Sequence, residues 1–412
     1  MLRRFLLPLS IVLLWPLATF ADELPRATPQ EVGLSADRLE RFGAQIDAAI
    51  ERGELVGAVS LIARKGRVAH VGTHGHLDRD DADAMPEDAI FRIASMSKPI
   101  ISTALMLLVE DGSVLLDDDL SEHLPEFAES EVLVVGEDGS QSRVPAERPI
   151  KVYDLLRHMS GLTYGIFQPG TPIGQIYAEA DIWNPEHDLT EFARRVATLP
   201  LTHHPGTHWD YGVSVDIQGA LIERVTGQKL EAFLRQRLFA PLDMVDTGFH
   251  VPEGSHGRLV SHYVATPQGL LEAPTYRDFR QPPKAPYGGG GLVSTIRDYA
   301  RFLEMLLAGG VLDGQRVLSR KTVELMTTDH LYDAPGMPPG VGFGLGFAVR
   351  RSAGQVTPGS VGTFSWGGIY NTYFFVDPEE EMFALLMSQL TPFNHEQLSE
   401  RFRTMVYQAI DD

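Results

Sequence analysis

Ser95-x-x-Lys98, inside Phe91-Arg-Ile-Ala-Ser-Met-Ser-Lys-Pro99, pairs a nucleophile with a base at a spacing that could support covalent chemistry. Pro99 has no N–H and is tolerated only near a helix start, while Gly112 is a natural stop beyond the apolar run 100–109. The pattern predicts one helix beginning at about Ser95, with Ser95 and Lys98 on the same face as i and i+3. A serine there has its own N–H among the unpaired donors of the first turn, where a developing oxyanion is stabilised. A lysine held beside it in a partly buried site can lose its proton and activate the hydroxyl. The tetrad alone decides little, because an N-cap serine followed by a surface lysine looks the same. Further residues must join it.

Two stretches do. Pro205-Gly206-Thr-His-Trp209-Asp210-Tyr211-Gly212-Val213 stands immediately before a helix, on an expected loop. A tyrosine presented there near a lysine can act as a general base, although a buried tyrosine with one hydrogen bond is the commoner case. Ser365-Trp366-Gly367-Gly368-Ile369 lies within a strand-like run, where adjacent glycines mark a close approach of ligand or backbone, or a bulge.

The elements that must position these residues follow from periodicity. Residues 34–51 carry apolar side chains at helical spacing behind Ser35 as a cap. Residues 57–64 and 67–72, separated by Lys65-Gly66, form an expected β-hairpin. From 77 to about 288 the character turns to helices and loops, with helices expected at 150–161, 189–199, 215–227 and 230–239. Residues 131–148 are polar and expected to be irregular. The run Tyr287-Gly-Gly-Gly-Gly-Leu-Val-Ser-Thr295 feeds a helix at 296–307, with Thr295 and Asp298 fitting a capping box. Consecutive glycines are costly unless backbone must approach something closely or adopt positive φ. No Gly-Lys-Ser/Thr follows, so this is no phosphate loop. Strand character returns at 341–350, 363–376 and 381–390, and an amphipathic helix closes the chain at 396–410.

Strands and a helix at both ends of a long helical stretch imply that the ends meet in one sheet. The expected fold is α/β of the α+β kind: an antiparallel sheet of five or more strands flanked by the terminal helices. Its sheet part spans approximately 30–76 and 290–412, and its mostly helical insertion 77–289. A catalytic cleft is expected between them, with apolar walls from loops such as 164–168 and 284–288.

Composition bounds the rest. Met1-Leu-Arg-Arg4, an apolar run 5–17 and Ala18-Thr-Phe-Ala21 read as a secretory signal peptide cleaved after Ala21, leaving 22–412 as a secreted or periplasmic protein. Pro8, Pro16 and the short apolar length argue against a stable membrane span. The chain has no cysteine, which excludes disulfides, thiolate metal sites and a cysteine nucleophile. A formal net charge of −20 disfavours nucleic acid and anionic membranes as partners. His70, His74 and His76, and again His203, His204 and His208, lack a recognisable ligand set, so no metal is expected.

Together Ser95-x-x-Lys98, the Tyr211 loop and Trp366-Gly367-Gly368 resemble the three motifs of the serine β-lactamase-related family. That fold is shared by class C β-lactamases, DD-peptidases and family VIII carboxylesterases. Asp154-Leu-Leu-Arg-His-Met-Ser-Gly-Leu162, Gly289-Gly-Gly-Leu-Val-Ser294 and Asp298-Tyr-Ala-Arg-Phe302 extend the resemblance over about 30–410, with the motifs in family order. It implies Ser95 as nucleophile, Lys98 and Tyr211 as the acid–base pair, and the backbone N–H groups of Ser95 and Ile369 as the oxyanion hole, with no cofactor.

Two departures bear on the substrate. Val213 stands where the β-lactamase pattern Tyr-x-Asn has an amide, and Trp366 stands where Lys-Thr-Gly has a lysine. With Trp366, Gly367, Gly368 and Val213 as substrate-binding residues, a charge-assisted contact to a substrate carboxylate, worth about 1.5–3 kcal/mol, is missing. The pocket therefore favours a neutral small-molecule ester, and the tryptophan motif resembles family VIII esterases in particular. A β-lactamase, a D-amino-acid peptidase or amidase, an acyl transferase, and a non-catalytic binding protein are the alternatives. The α/β-hydrolase elbow Gly-x-Ser-x-Gly is absent.

Overall fold

The computed structural model describes residues 24–80 and 84–412. The signal sequence and cleavage point expected above lie outside the described residues. Seven strands make one antiparallel sheet: β1 (Gly57–Arg64), β2 (Arg67–Gly75), β3 (Val341–Phe343), β4 (Ala348–Arg350), β5 (Phe364–Gly368), β6 (Thr372–Asp377) and β7 (Met382–Ser388). Their spatial order is β3-β4-β5-β6-β7-β1-β2, so the amino-terminal hairpin docks on the last strand of the carboxy-terminal meander. Leu61 faces Leu385 in that register. The β1–β2 turn holds Lys65 at φ 54° and Gly66 at φ 71°, the paired left-handed geometry of a two-residue hairpin.

Every residue of β1 is buried, which is why its sequence reads as a nearly continuous apolar run. Alternate side chains serve two layers. Ala58 and Ile62 pack with Phe375, Ala384 and Leu386 against the helices α1 (Ala36–Glu51) and the carboxy-terminal Leu398–Tyr407. Val59, Leu61 and Ala63 join Phe374, Phe383 and Leu385 in the larger core on the opposite face. That core surrounds α2 (Ser97–Glu110), whose residues from Ser97 to Leu108 are all buried. A helix apolar all round belongs in an interior, and this one is stopped by Gly112 at φ 71°. Two further helices pack there, α3 (Ser214–Thr226) and α4 (Ile296–Leu307).

Three details depart from the sequence expectation. Residues 131–148 contain an antiparallel hairpin, Glu131–Val135 with Gln141–Pro145, whose side chains are mostly exposed and so show no buried alternation. The runs 341–350 and 363–376 are each two antiparallel strands, the second turned at Ile369–Asn371 by Asn371 at φ 59°. Thr295 does cap α4 through Asp298 N at 3.2 Å, but the Asp298 carboxylate turns instead to Asp246 N and the Thr247 hydroxyl. Among the described residues no helix is long and apolar enough to cross a membrane.

Candidate active site

The candidate nucleophile, Ser95, stands on a constrained turn. Phe91–Arg92 pairs with Val293–Ser294, and Ile93 N donates to Leu292 O at 3.1 Å, tying the approach to the glycine run. The chain then makes a 3₁₀ turn, Ala94–Met96, ahead of α2, so Ser95 precedes the α-helix proper by two residues. Ala94 holds φ 43°, a left-handed conformation unusual for a residue with a Cβ. The turn is fixed from behind, where Tyr299 Oη donates to Met96 O at 2.9 Å and Leu292 N donates to Ser97 Oγ at 3.1 Å.

Ser95, Lys98 and Tyr211 meet. Lys98 Nζ lies 3.2 Å from Ser95 Oγ, and Tyr211 Oη lies 2.7 Å from the same oxygen. Lys98 is 1% exposed, with its Nζ 4.6 Å from the centre of the Tyr211 ring and 5.2 Å from that of Tyr164. It donates to Gly289 O at 2.5 Å. Three of the four glycines serve close approach: none of the run has positive φ, a Cβ on Gly289 would sit 2.5 Å from Tyr164 Oη and 2.6 Å from Asp216 Oδ2, and Gly288 and Gly291 are as tightly packed, whereas Gly290 has room for one.

Tyr211 is placed by its loop. Asp210 N donates to His158 O at 2.9 Å, and any side chain on Gly212 would run into the Leu162 backbone. His158 lies under the tyrosine ring, 5.1 Å between centroids, and burial together with nearby Lys98 pushes its imidazole well below the usual range, so it is neutral. Its segment is anchored by Asp154, which accepts from Arg148 at 2.6 and 2.9 Å and from Arg157 at 3.0 Å. The Asp154–Leu162 motif is thus a platform for the tyrosine loop.

Trp366 on β5 packs its ring against Tyr211 at 5.5 Å and Phe343 at 5.3 Å, half-buried, with its Nε1 making no hydrogen bond. Gly367 lies under the Phe393 ring, where a Cβ would come within 2.8 Å, and Gly368 lies against Ile93 O just before the nucleophile turn. Ile369 follows at the start of the β5–β6 turn, exposed. Val213 is different. Counted above among substrate-binding residues, it is fully buried in the core before α3 and offers no surface to a substrate, because its apolar side chain packs inward.

Sequence reasoning missed Asp216. Five residues beyond Tyr211, buried on α3, it accepts from Gly289 N at 2.8 Å and from Tyr164 Oη at 3.4 Å. Burial pushes its carboxyl up to about 6, against the opposing pull of Lys98 and the Gly289 N–H. Burial and that carboxylate in turn keep the Tyr164 phenol protonated. The available signal was a lone acid between apolar Val215 and Ile217. Among the described residues no group of three or more histidine and acidic side chains is gathered to hold a metal.

A serine hydroxyl touching both a buried lysine and a tyrosine can be deprotonated on attack and can return that proton to a departing group. The sequence matches the Beta-lactamase family over residues 42–408. The chain belongs to that family. It is 32% identical over 375 residues to Esterase EstB of Burkholderia gladioli, covering 86% of this chain and 91% of that one. It is 30% identical over 365 residues to lovastatin esterase of Penicillium rubens, covering 81% and 89%. The solved structure of EstCE1, a hydrolase with promiscuous acyltransferase activity, superposes with TM-score 0.76 at 28% identity over 91% of this chain and 99% of that one. The protein is a serine hydrolase of β-lactamase fold, related to family VIII esterases.

Proposed function

We propose that this protein is an exported carboxylesterase working through an acyl-Ser95 intermediate. The observation that carries the reading is the convergence of Lys98 and Tyr211 on Ser95 Oγ beneath an aromatic wall. Ser95 Oγ attacks the ester carbonyl while its proton passes to the Lys98–Tyr211 pair. The N–H groups of Ser95 and Ile369 receive the oxyanion. Collapse breaks the bond to the alcohol oxygen, which leaves with the proton from Tyr211. Water then takes the alcohol's place, gives up its proton along the same route, and releases the acid.

Trp366 supports a neutral ester: it supplies apolar ring where a lysine would grip a carboxylate. The esterase relatives support the same substrate class. Export rests on the leader read from residues 1–21. An alcohol in place of water would give acyl transfer from the same intermediate, a reading supported by the activity named for EstCE1. Labelling with a fluorophosphonate tests the nucleophile. One equivalent should attach to the wild type and none to Ser95→Ala, with both proteins unfolding alike; equal labelling of the variant would remove Ser95 from the mechanism.

A further inference from the structure

The cleft has two sides, and the chemistry distinguishes them. The departing oxygen needs a proton, and Tyr211 Oη, 2.7 Å from Ser95 Oγ, is the group placed to give it. The alcohol portion of an ester must therefore leave across the Tyr211 side, while the acyl portion stays on Ser95. Trp209 and His158 stand against the tyrosine ring, the latter buried. Tyr164, Trp366 and Phe167 also border it, and of these Phe167 is exposed, at 56%, with its ring 5.8 Å from that of Tyr211.

Phe167 does not stand alone. Its ring meets Tyr164 edge-on at 5.8 Å, and Tyr164 stacks on Trp183 at 5.9 Å and 24° between planes. Ile166 beside it is exposed, as is Trp183 in part. Contiguous exposed apolar surface at the mouth of a cleft marks a place that something apolar covers. Three rings, offered by face and edge, favour a flat partner. The cation that approaches Tyr164 and Tyr211, Lys98, lies buried and hydrogen-bonds Gly289 O rather than projecting into the exposed patch.

We propose that Tyr164, Ile166, Phe167 and Trp183 form a subsite for an aromatic or fused-ring alcohol portion of the ester, its oxygen turned toward Tyr211. The subsite rests on the esterase reading above and adds to it the class of leaving group. Cleavage is balanced as before: the C–O bond breaks, the alkoxide oxygen takes the Tyr211 proton, and the aromatic alcohol departs.

The test compares kcat/KM for butyrate esters of n-butanol, benzyl alcohol and 2-naphthylmethanol, all primary alcohols, with the ethyl ester of 2-naphthylacetic acid as the acyl-side control. Wild type should prefer the naphthylmethyl ester. Phe167→Ala should lower its rate about tenfold or more, and several-fold further than it lowers the rate on the n-butyl ester. Phe167→Leu, which restores apolar bulk without a ring, should recover only part of the loss. Trp183→Ala should act in the same direction, guarding against a local rearrangement of the Phe167 loop. Ser95-dependent cleavage of n-butyl butyrate with no aromatic preference would overturn the subsite and leave the esterase standing. A loss in Phe167→Ala confined to the naphthylacetate would assign the wall to the acyl side, against the proposal. No Ser95-dependent cleavage of any ester would remove the esterase reading, and the subsite with it.

Discussion

Replacing Asp216 by asparagine should make the protein more stable at neutral pH and change it little in acid. The carboxylate is buried on α3, and burial raises it from 3.8 to about 6 in the folded state. Between those values the native protein binds a proton that the unfolded chain has lost. Stability therefore falls as pH rises from about 4 to about 6, and the deficit is complete above that. A shift of about two units corresponds to roughly 3 kcal/mol at pH 7, an upper figure for one group. The attraction of Lys98 is already contained in that shift, since it opposes the rise. Asparagine mimics the protonated acid: its amide oxygen can still accept from Gly289 N, and its NH₂ can donate to Tyr164 Oη. Asp298, also raised to about 6, is present in both proteins and cancels in the difference. Urea unfolding of both proteins at pH 4, 5, 6 and 7 is the assay. The variant should gain about 1–3 kcal/mol at pH 7, with the gap closing toward pH 4. A variant less stable than wild type at pH 7 would refute the reasoning, because the attraction of Lys98 for the carboxylate would then outweigh the cost of burying the charge.

Tyr211→Phe keeps the ring among its aromatic neighbours and removes the hydroxyl from Ser95; kcat for ester cleavage should fall about 10²–10⁴-fold, with the melting temperature nearly unchanged. Gly212→Ala places a methyl against the Leu162 and Thr163 backbone. It should cost about 1–3 kcal/mol in unfolding experiments and lower kcat by displacing Tyr211. Retained activity in this variant would show that the loop can shift without moving the hydroxyl.

Much of this fold was legible because its signals are local and strong. The helix at 36–51 behind Ser35, the hairpin about Lys65-Gly66 and the helix at 296–307 each carry a period and a boundary residue. Ser95 and Lys98 could be paired for the same reason: three residues on one helical start fix their proximity. The hairpin at 131–145 escaped because it lies on the surface and buries almost nothing, so no alternation was imposed on its sequence. Asp216 escaped because its meaning is tertiary. Its partners Gly289 and Tyr164 lie 73 and 52 positions away in the chain, and no spacing encodes such an encounter. Val213 shows the limit from the other direction. Its position in a motif suggested the cleft, but side-chain direction at the start of α3 sends it into the core.

The most direct measurement of the central claim is the rate on p-nitrophenyl butyrate beside that on a chromogenic cephalosporin, each with wild type and with Ser95→Ala. Fast ester cleavage that vanishes in the variant, with little lactam opening, is the predicted result, since Trp366 offers ring surface in place of a carboxylate-binding cation. Lactam opening faster than ester cleavage, or ester cleavage that survives in Ser95→Ala, would contradict it.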